Sequence, residues 1–330
     1  MLRWNQSGIT VAGIVAKSGN TSNLFNRPHG LVIDLSNTLY IADRHNHRIQ
    51  KWPMNALTGI TIAGQANGTA GPSVSDLDRP TDLAIDSTGN VYIADSWNHR
   101  IQFWENGTSQ GSTIAGIITF RILCQESNPP VTIFLGFGGI LNITLYLPYG
   151  LMRDPNSGIL YIADTVNHRV IRYRLGDLVG TVVAGGNGPG SNNTQLSSPG
   201  GLYFDSLSNS LLIANSDTHN IVRWVMGADS WILVAGNLNG TLGNTSMELN
   251  SAFDVEVDPM GNVYVADRAN HRIQFFLVGQ STGVTIAGVT GATGINSTRL
   301  NTPSSMTLDN QLNLYVADTN NHRIQKFLRY

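Results

Sequence analysis

Histidine, aspartate and arginine recur along this chain in one short pattern, Asp-x-x-Asn-His-Arg. These residue types serve metal sites and acid–base catalysis, so they are the first candidates for chemistry. Five copies keep all four named residues, and a sixth has Asn215 and Asn220 in place of the Asp and the Arg. The Asp, His and Arg residues of the pattern are Asp43, His47, Arg48, Asp95, His99, Arg100, Asp164, His168, Arg169, His219, Asp267, His271, Arg272, Asp318, His322 and Arg323.

A single metal or catalytic centre does not need six equivalent copies, so we interpret the pattern as a structural turn. We expect its carboxylate to accept backbone N–H groups of the turn that follows. We expect its Asn to take the positive φ at which the chain reverses. The Arg would bind carbonyl or carboxylate oxygens of the same or the next repeat. Only His29 and His45 then remain outside the pattern.

The elements that carry this turn repeat as well. Successive copies lie 51 or 52 residues apart, except for 69 residues between the second and the third. Each repeat has four short runs rich in Val, Ile, Leu and Tyr between Gly, Asn, Asp and Pro clusters, which is typical of hairpin-linked strands. Four strands in about 50 residues match one propeller blade. We predict an all-β fold over residues 1–330, a single six-bladed β-propeller with four antiparallel strands per blade.

The two ends of the chain indicate how the ring closes. The first predicted strand, from Ile9 to Ala12, corresponds to the fourth strand of a repeat, whereas the last repeat stops after its third strand. Pairing these strands would complete the sixth blade and remove two exposed sheet edges.

The strand Tyr-Ile/Val-Ala-Asp followed by Asn-His-Arg-Ile-Gln resembles the NHL-repeat family of six-bladed propellers. The resemblance covers the whole chain except one insertion and implies the same fold. The family includes RNA-binding domains of ubiquitin ligases, peptide-amidating lyases, extracellular adhesion modules and bacterial sensor domains, so it selects no function. The three-His zinc centre of the amidating lyases would have to borrow histidines from the turn pattern here, which argues against such an enzyme.

The start of the innermost strand of each blade should face the mouth of the central channel, the usual ligand position in a propeller. Aligned by the preceding Pro, these positions are Gly30, Asp82, Gly150, Gly201, Asp254 and Ser305. Blades two and five lie opposite each other, which places Asp82 and Asp254 across the opening, with Glu256 further down. His29 and Tyr149 stand one position earlier. We take His29, Asp82, Tyr149, Asp254 and Glu256 as ligand candidates.

Asp82 and Asp254 are also the candidate metal ligands, because converging carboxylates suit Ca²⁺ or Mg²⁺. The alternative is that acidic residues cap the strands and hydrate an open mouth. The sequence contains no nucleophile elbow, phosphate loop, dinucleotide fingerprint or Ser-His-Asp order in its required context. Catalysis therefore has little support, and we expect no firm cofactor beyond a Ca²⁺ ion in the channel.

The composition excludes several classes of protein. The chain has 41% hydrophobic and 13% charged residues, which excludes a charge-rich disordered chain and a coiled coil. Its net charge of -2 provides no global attraction to nucleic acid or anionic lipid. Cys124 is the only cysteine, so no intrachain disulfide and no cysteine-based zinc cluster can form.

An insertion of about residues 117–138 separates the second and third repeats, and an apolar stretch at residues 131–141 overlaps its end. We reject a membrane span because Pro129, Pro130, several glycines and Asn142 interrupt this region. We expect a poorly ordered excursion between two blades, either a binding loop or a translated intron.

Sequence features outside the repeat favour an extracellular or secreted glycoprotein. The chain has only three lysines, and Met1 opens no apolar signal segment, so an export signal would lie outside this chain. The Asn-x-Ser/Thr acceptor sites are Asn5, Asn20, Asn67, Asn106, Asn142, Asn192, Asn239, Asn244 and Asn296.

We expect a monomeric, non-catalytic interaction module that binds a protein or a small molecule through the channel-mouth face and the inter-blade loops. The first alternative is a metal-dependent enzyme of lactonase or lyase type that uses Asp82 and Asp254. The second is an RNA-binding domain, which would need a strongly basic face. The near-neutral charge, with five of 17 arginines committed to the turn pattern, disfavours nucleic acid as a partner.

Overall fold

The computed structural model of the protein describes residues 2–116 and 144–330. These residues form six four-stranded antiparallel sheets, each of which is one blade of a ring. The predicted six-bladed propeller is confirmed. The expected excursion at about residues 117–138, and the apolar stretch at residues 131–141, lie outside the described residues. Within the described ranges, no helix has the length and apolar character needed to cross a membrane.

Five blades are formed by four consecutive strands, and the sixth combines three strands with the first strand of the chain. The first strand is β1 (Ile9–Gly13). Blade 1 contains β2 (Pro28–Ile33), β3 (Leu39–Asp43), β4 (Arg48–Trp52) and β5 (Ile60–Gly64). Blade 2 contains β6 (Asp82–Ile85), β7 (Val91–Asp95), β8 (Arg100–Trp104) and β9 (Ser112–Gly116). Blade 3 contains β10 (Pro148–Arg153), β11 (Leu160–Asp164), β12 (Arg169–Tyr173) and β13 (Thr181–Gly185).

The remaining strands follow the same order from the axis to the rim. Blade 4 contains β14 (Pro199–Asp205), β15 (Ser210–Asn215), β16 (Asn220–Val225) and β17 (Ile232–Gly236). Blade 5 contains β18 (Ala252–Val257), β19 (Val263–Asp267), β20 (Arg272–Phe276) and β21 (Val284–Gly288). Blade 6 contains β22 (Ser305–Leu308), β23 (Leu314–Asp318), β24 (Arg323–Phe327) and β1. Single 3-10 turns join the second and third strands at Arg44–Asn46, Ser96–Asn98, Thr165–Asn167, Ser216–Thr218, Arg268–Asn270 and Thr319–Asn321.

The core lies between the blades. The second strand of each blade, for example β3 with Leu39 to Asp43, is buried along its whole length because neighbouring blades cover both of its faces. Burial on both faces explains why the sequences of these strands are continuous apolar runs rather than alternating apolar and polar residues. The buried apolar side chains of the described residues form six clusters, and each cluster lies between two adjacent blades.

The Asp and Arg of the repeated turn form a buried ion pair, as blade 1 illustrates. Arg48 Nε donates to Asp43 Oδ2 at 2.8 Å, and the other guanidinium nitrogens donate to backbone carbonyls of the preceding inter-blade loop, such as Asn20 and Leu24. These acceptors are of the two kinds, carboxylate and carbonyl, that we expected for the Arg. The partner predicted for the Asp was wrong. Asp43 Oδ1 accepts the N–H of Asn26, which lies 17 residues upstream, rather than an N–H of the turn that follows.

The prediction that the Asn of the turn takes the positive φ was wrong. The Asn does not take the positive φ; in blade 1, Asn46 Nδ2 donates instead to Asp43 Oδ2 at 2.8 Å. The six histidines take it, with φ between 52° and 58°. This arrangement lets each ring point toward the next blade.

Each turn histidine then links its blade to the following one. His47 Nδ1 accepts the N–H of Arg79 at 3.1 Å, and the same bond recurs at every blade boundary up to His322, which accepts from Arg27 at 3.1 Å. Burial lowers the pKa of all six imidazoles, which favours the neutral ring, and the backbone N–H that each Nδ1 accepts selects the tautomer protonated at Nε2. The histidines are therefore occupied in holding the ring together.

Candidate ligand site at the channel mouth

The six positions that we aligned at the start of the innermost strands come together around one small cavity on the axis. Gly30, Asp82, Gly150, Gly201, Asp254 and Ser305 all line it, and its volume is about 10 Å³. Glycine is required where these strands approach each other closely. A Cβ added to Gly30 would lie 2.6 Å from the Cα of Asp82, so a larger residue would force neighbouring innermost strands apart.

A layer of three rings, one residue nearer the mouth, covers this cavity. His29, Tyr149 and Phe253 come from blades 1, 3 and 5, and their ring centroids lie 5.1 to 5.3 Å apart with edge-to-face geometry. The innermost strands β2, β10 and β18 each contain a bulge at this point, as does β14, where the residue is Gly200. Blades 2, 4 and 6 contribute small residues at the corresponding positions, namely Thr81, Gly200 and Ser304.

His29 is held in one orientation within this layer. Its side chain is 4% exposed, and its Nδ1 lies 2.9 Å from the carbonyl oxygen of Thr81, to which it donates. Its Nε2 is buried and has no hydrogen-bond partner among the described residues. Burial, followed by the positive charges of Arg44 and Arg268, lowers the pKa of His29 well below its usual value. The imidazole is therefore neutral at pH 7.

Asp82 and Asp254 occupy equivalent positions in blades 2 and 5, and each bridges to the next blade. Asp82 Oδ2 accepts the N–H of Leu151 at 2.9 Å, and Asp254 Oδ2 accepts the N–H of Met306 at 3.1 Å. Burial raises the pKa of both carboxyls, that of Asp254 to about 6, and the nearby Asp254 charge raises the pKa of Asp82 further. Each of these carboxylates thus uses one oxygen to join its innermost strand to that of the next blade.

Glu256 lies two residues below Asp254 on the same strand. Burial, with repulsion from Asp254 and Asp82, raises the pKa of Glu256 to about 8. The two aspartates and Glu256 together concentrate acidic groups in the channel beneath the ring layer.

Glu256→Gln should therefore change how stability depends on pH. A raised folded-state pKa means that the folded protein holds a proton that the unfolded chain releases above pH 4.5, so this group lowers the free energy of unfolding as pH rises from about 5 to 8. Because the side chain keeps partial exposure, we expect the variant to gain about 2 kcal/mol over the wild type across this interval. Urea unfolding at several pH values measures the difference. The exposed Glu105→Gln is the control, and parallel curves for Glu256→Gln and the wild type would contradict the assignment.

Two arginines from the repeated turns lie above the ring layer. The guanidinium of Arg268 sits 4.6 Å from the ring centroid of Phe253, and that of Arg44 sits 5.9 Å from the ring centroid of Tyr149. Neither arginine forms an ion pair with any described residue, and the Nε of each is buried without a partner. Burial lowers the pKa of Arg268, and repulsion from Arg44 adds to this effect.

The sequence analysis did not identify Phe253, Arg44 or Arg268, although an internal alignment of the repeats carries the signal. The position before each channel-mouth residue alternates between a ring and a small residue around the propeller. The position after the Asp of the turn is a hydroxyl residue in four blades, namely Ser96, Thr165, Ser216 and Thr319. Only blades 1 and 5 carry Arg there.

The three-His zinc centre implied by the resemblance does not fit these residues. The Nδ1 atoms of all six turn histidines accept backbone N–H groups between blades, so the neutral ring carries its proton on Nε2, and His29 is the one histidine of the channel mouth whose Nε2 has no described partner. Across residues 2–116 and 144–330, no three or more His, Cys, Asp or Glu side chains converge in a way that could hold a metal ion. Asp82 and Asp254 therefore have no third converging ligand among the described residues.

Comparison with known proteins identifies NHL repeats in the chain. The model of the NHL repeat matches residues 25–52, 77–103, 249–276 and 300–327. The chain is 40% identical over 162 residues to peptidyl-alpha-hydroxyglycine alpha-amidating lyase 2 of Drosophila melanogaster, which covers 48% of this chain and 34% of that protein. It is 31% identical over 162 residues to NHL repeat-containing protein 3 of Mus musculus, which covers 46% of each protein. The chain thus spans between a third and a half of these relatives.

A solved structure is similar over almost the whole ring. The gluconolactonase XC5397 of Xanthomonas campestris superimposes with a TM-score of 0.64 over 98% of this chain and 97% of that chain, at 12% sequence identity. Likeness at that identity concerns the fold alone. The four matched repeats, the repeated Asp-x-x-Asn-His-Arg turn and the six closed blades together show that the chain contains NHL repeats and is a six-bladed β-propeller.

Proposed function

We propose that the protein is a non-catalytic binding module whose ligand docks on the channel-mouth face and the loops around it. The ring layer of His29, Tyr149 and Phe253 carries this proposal, because it covers the channel carboxylates and leaves a cavity of only about 10 Å³ beside them. That volume accepts about one water molecule. A ligand therefore meets a closed platform of rings and arginines rather than a substrate channel.

The second candidate is a metal-dependent lyase or lactonase. Two observations favour it: the amidating-lyase and gluconolactonase names among the similar proteins, and the mutual repulsion of Asp82 and Asp254, which a Ca²⁺ ion between them would relieve. Against it stand the backbone N–H bonds that each carboxylate already accepts and the rings that cover them.

A turnover assay separates the two candidates. The purified protein, with Ca²⁺, Mg²⁺ or Zn²⁺ added in turn, is incubated with a peptidyl-α-hydroxyglycine substrate and with gluconolactone. We expect no product above the uncatalysed background with any metal. Metal-dependent turnover that is lost in Asp82→Asn and retained in Glu105→Gln would overturn the proposal and establish the enzyme.

A further inference from the structure

The two arginines above the ring layer depart from a rule that the other four blades follow. In those blades the residue after the turn Asp is Ser or Thr. In blades 3 and 6 its hydroxyl donates to the carbonyl of the next blade, from Thr165 to Pro199 at 2.8 Å and from Thr319 to Pro28 at 2.9 Å. Blades 1 and 5 give up this bond and place Arg44 and Arg268 at the mouth. Local departures from a structural rule of this kind mark functional positions.

The environment of Arg44 and Arg268 is unfavourable without an anion. Both are half-buried, they repel each other, and no described carboxylate pairs with either. Arg268 makes no side-chain hydrogen bond to a described residue, and the Arg44 side chain makes a hydrogen bond only to the neighbouring His45, at 3.2 Å, among the described residues. A bound anion would pair with both charges.

The shape of the site indicates which anion. Each guanidinium lies over an aromatic ring, Arg268 over Phe253 and Arg44 over Tyr149, which leaves its N–H edges available. Such edges match the two oxygens of a carboxylate. The floor of rings favours a ligand with an apolar body over a strongly hydrated inorganic anion.

We propose that Arg44 and Arg268 form a recognition site for the carboxylate of an organic acid whose apolar part rests on Tyr149 and Phe253. This inference rests on the proposed binding function and names the class of its ligand. The site uses residues of blades 1, 3 and 5, so a single ligand group would contact three alternate blades of the ring.

Calorimetry with N-acetyl-L-phenylalanine and with its uncharged amide tests the site at low ionic strength. We expect the wild type to bind the acid at least tenfold more tightly than the amide. Arg44→Ser with Arg268→Thr should weaken binding of the acid at least tenfold. These substitutions restore the residues of the other blades, so the melting temperature should be kept. Arg153→Ser is the matched control, because Arg153 is also half-buried, stacks on Tyr92 and lies at the far end of β10.

A second double variant and two other ligands distinguish the possible outcomes. If the double variant melts early, Arg44→Lys with Arg268→Lys keeps the charges and loses the planar forks, and we expect it to weaken binding of the acid as well. Equal binding of acid and amide, or full binding by the arginine variants, would overturn the inference. Binding of inorganic phosphate or of a single-stranded RNA but not of the acid would also overturn it and assign the arginines to phosphate. If the acid does not bind, the carboxylate site is overturned but the proposed binding function is not. That function would be overturned by activity in the turnover assay.

Discussion

Deletion of residues 1–14 is expected to lower the free energy of unfolding by at least about 5 kcal/mol and to cause association of the protein. The deleted strand β1 closes the ring by pairing with β24, with Ile9 opposite Lys326 and Gly13 opposite Arg323. Its loss exposes the edge of β24 to other chains. A loss of this size is comparable with the whole stability of many domains.

Trp4 should account for much of this effect. It is 2% exposed, its ring centroid lies 5.6 Å from that of Tyr264 and 5.3 Å from that of Phe275, and its Nε1 donates to the carbonyl of Leu312 at 2.9 Å. Removal of a buried Trp side chain costs about 3 to 5 kcal/mol. The residues before β1 thus anchor the closing strand across blades 5 and 6.

Denaturant unfolding and size-exclusion chromatography measure the two consequences of the deletion. A synthetic peptide of residues 1–14 added in trans should restore part of the stability, whereas the same peptide with Trp4→Ala should restore less. A truncated protein that unfolds at the wild-type urea concentration and stays monomeric would show that the ring does not depend on this strand.

Asp267→Ala should destabilise the protein by about 3 to 5 kcal/mol, because it leaves the charge of a buried arginine without a partner. Arg272 Nε donates to Asp267 Oδ2 at 2.7 Å, and both side chains are almost fully buried. Asp267 Oδ1 also accepts the N–H of Asn250 at 2.7 Å. One substitution therefore breaks the ion pair and a bond that holds the inter-blade loop.

Blade 4 provides a natural control for this prediction. It has Asn215, Thr218 and Asn220 where blade 5 has Asp, Asn and Arg, and Asn215 Oδ1 still accepts the N–H of Ser197 at 2.6 Å. The triple variant Asp267→Asn, Asn270→Thr, Arg272→Asn transfers this uncharged set to blade 5. It should cost less than Asp267→Ala alone, because no charge remains buried without a partner.

Urea unfolding of the two variants, with the exposed Asp229→Ala as a reference, measures these costs. A loss for Asp267→Ala no larger than that of Asp229→Ala would mean that the turn ion pair contributes little. A triple variant less stable than Asp267→Ala would show that the charged set itself is required in blade 5.

The number of blades and the closure of the ring follow from local patterns in the chain. Strand runs, turn residues and their spacing, mostly 51 or 52 residues, are local features of the sequence, so they predict each blade independently of its surroundings. The incomplete repeats at the two ends likewise predict the pairing of β1 with β24. The same alignment brings Gly30, Asp82 and Asp254 to one level of the channel, since equivalent positions of a closed ring share a height on its axis.

Inter-blade contacts, by contrast, depend on atoms that are distant in the chain. The N–H donor to Asp43 lies 17 residues upstream, and the N–H donor to His47 lies 32 residues downstream. The residues of the turn alone therefore do not show that the His, rather than the Asn, takes the positive φ. Arg44 lies over Tyr149 of blade 3, and Arg268 lies over Phe253 of its own blade, because alternate blades face the same axis. The ring also sets how deeply Glu256 is buried and therefore its raised pKa. The sequence repeats thus predict the scaffold, because every blade carries the same local pattern. The candidate site depends on the few positions at which the blades differ and which the closed ring brings together.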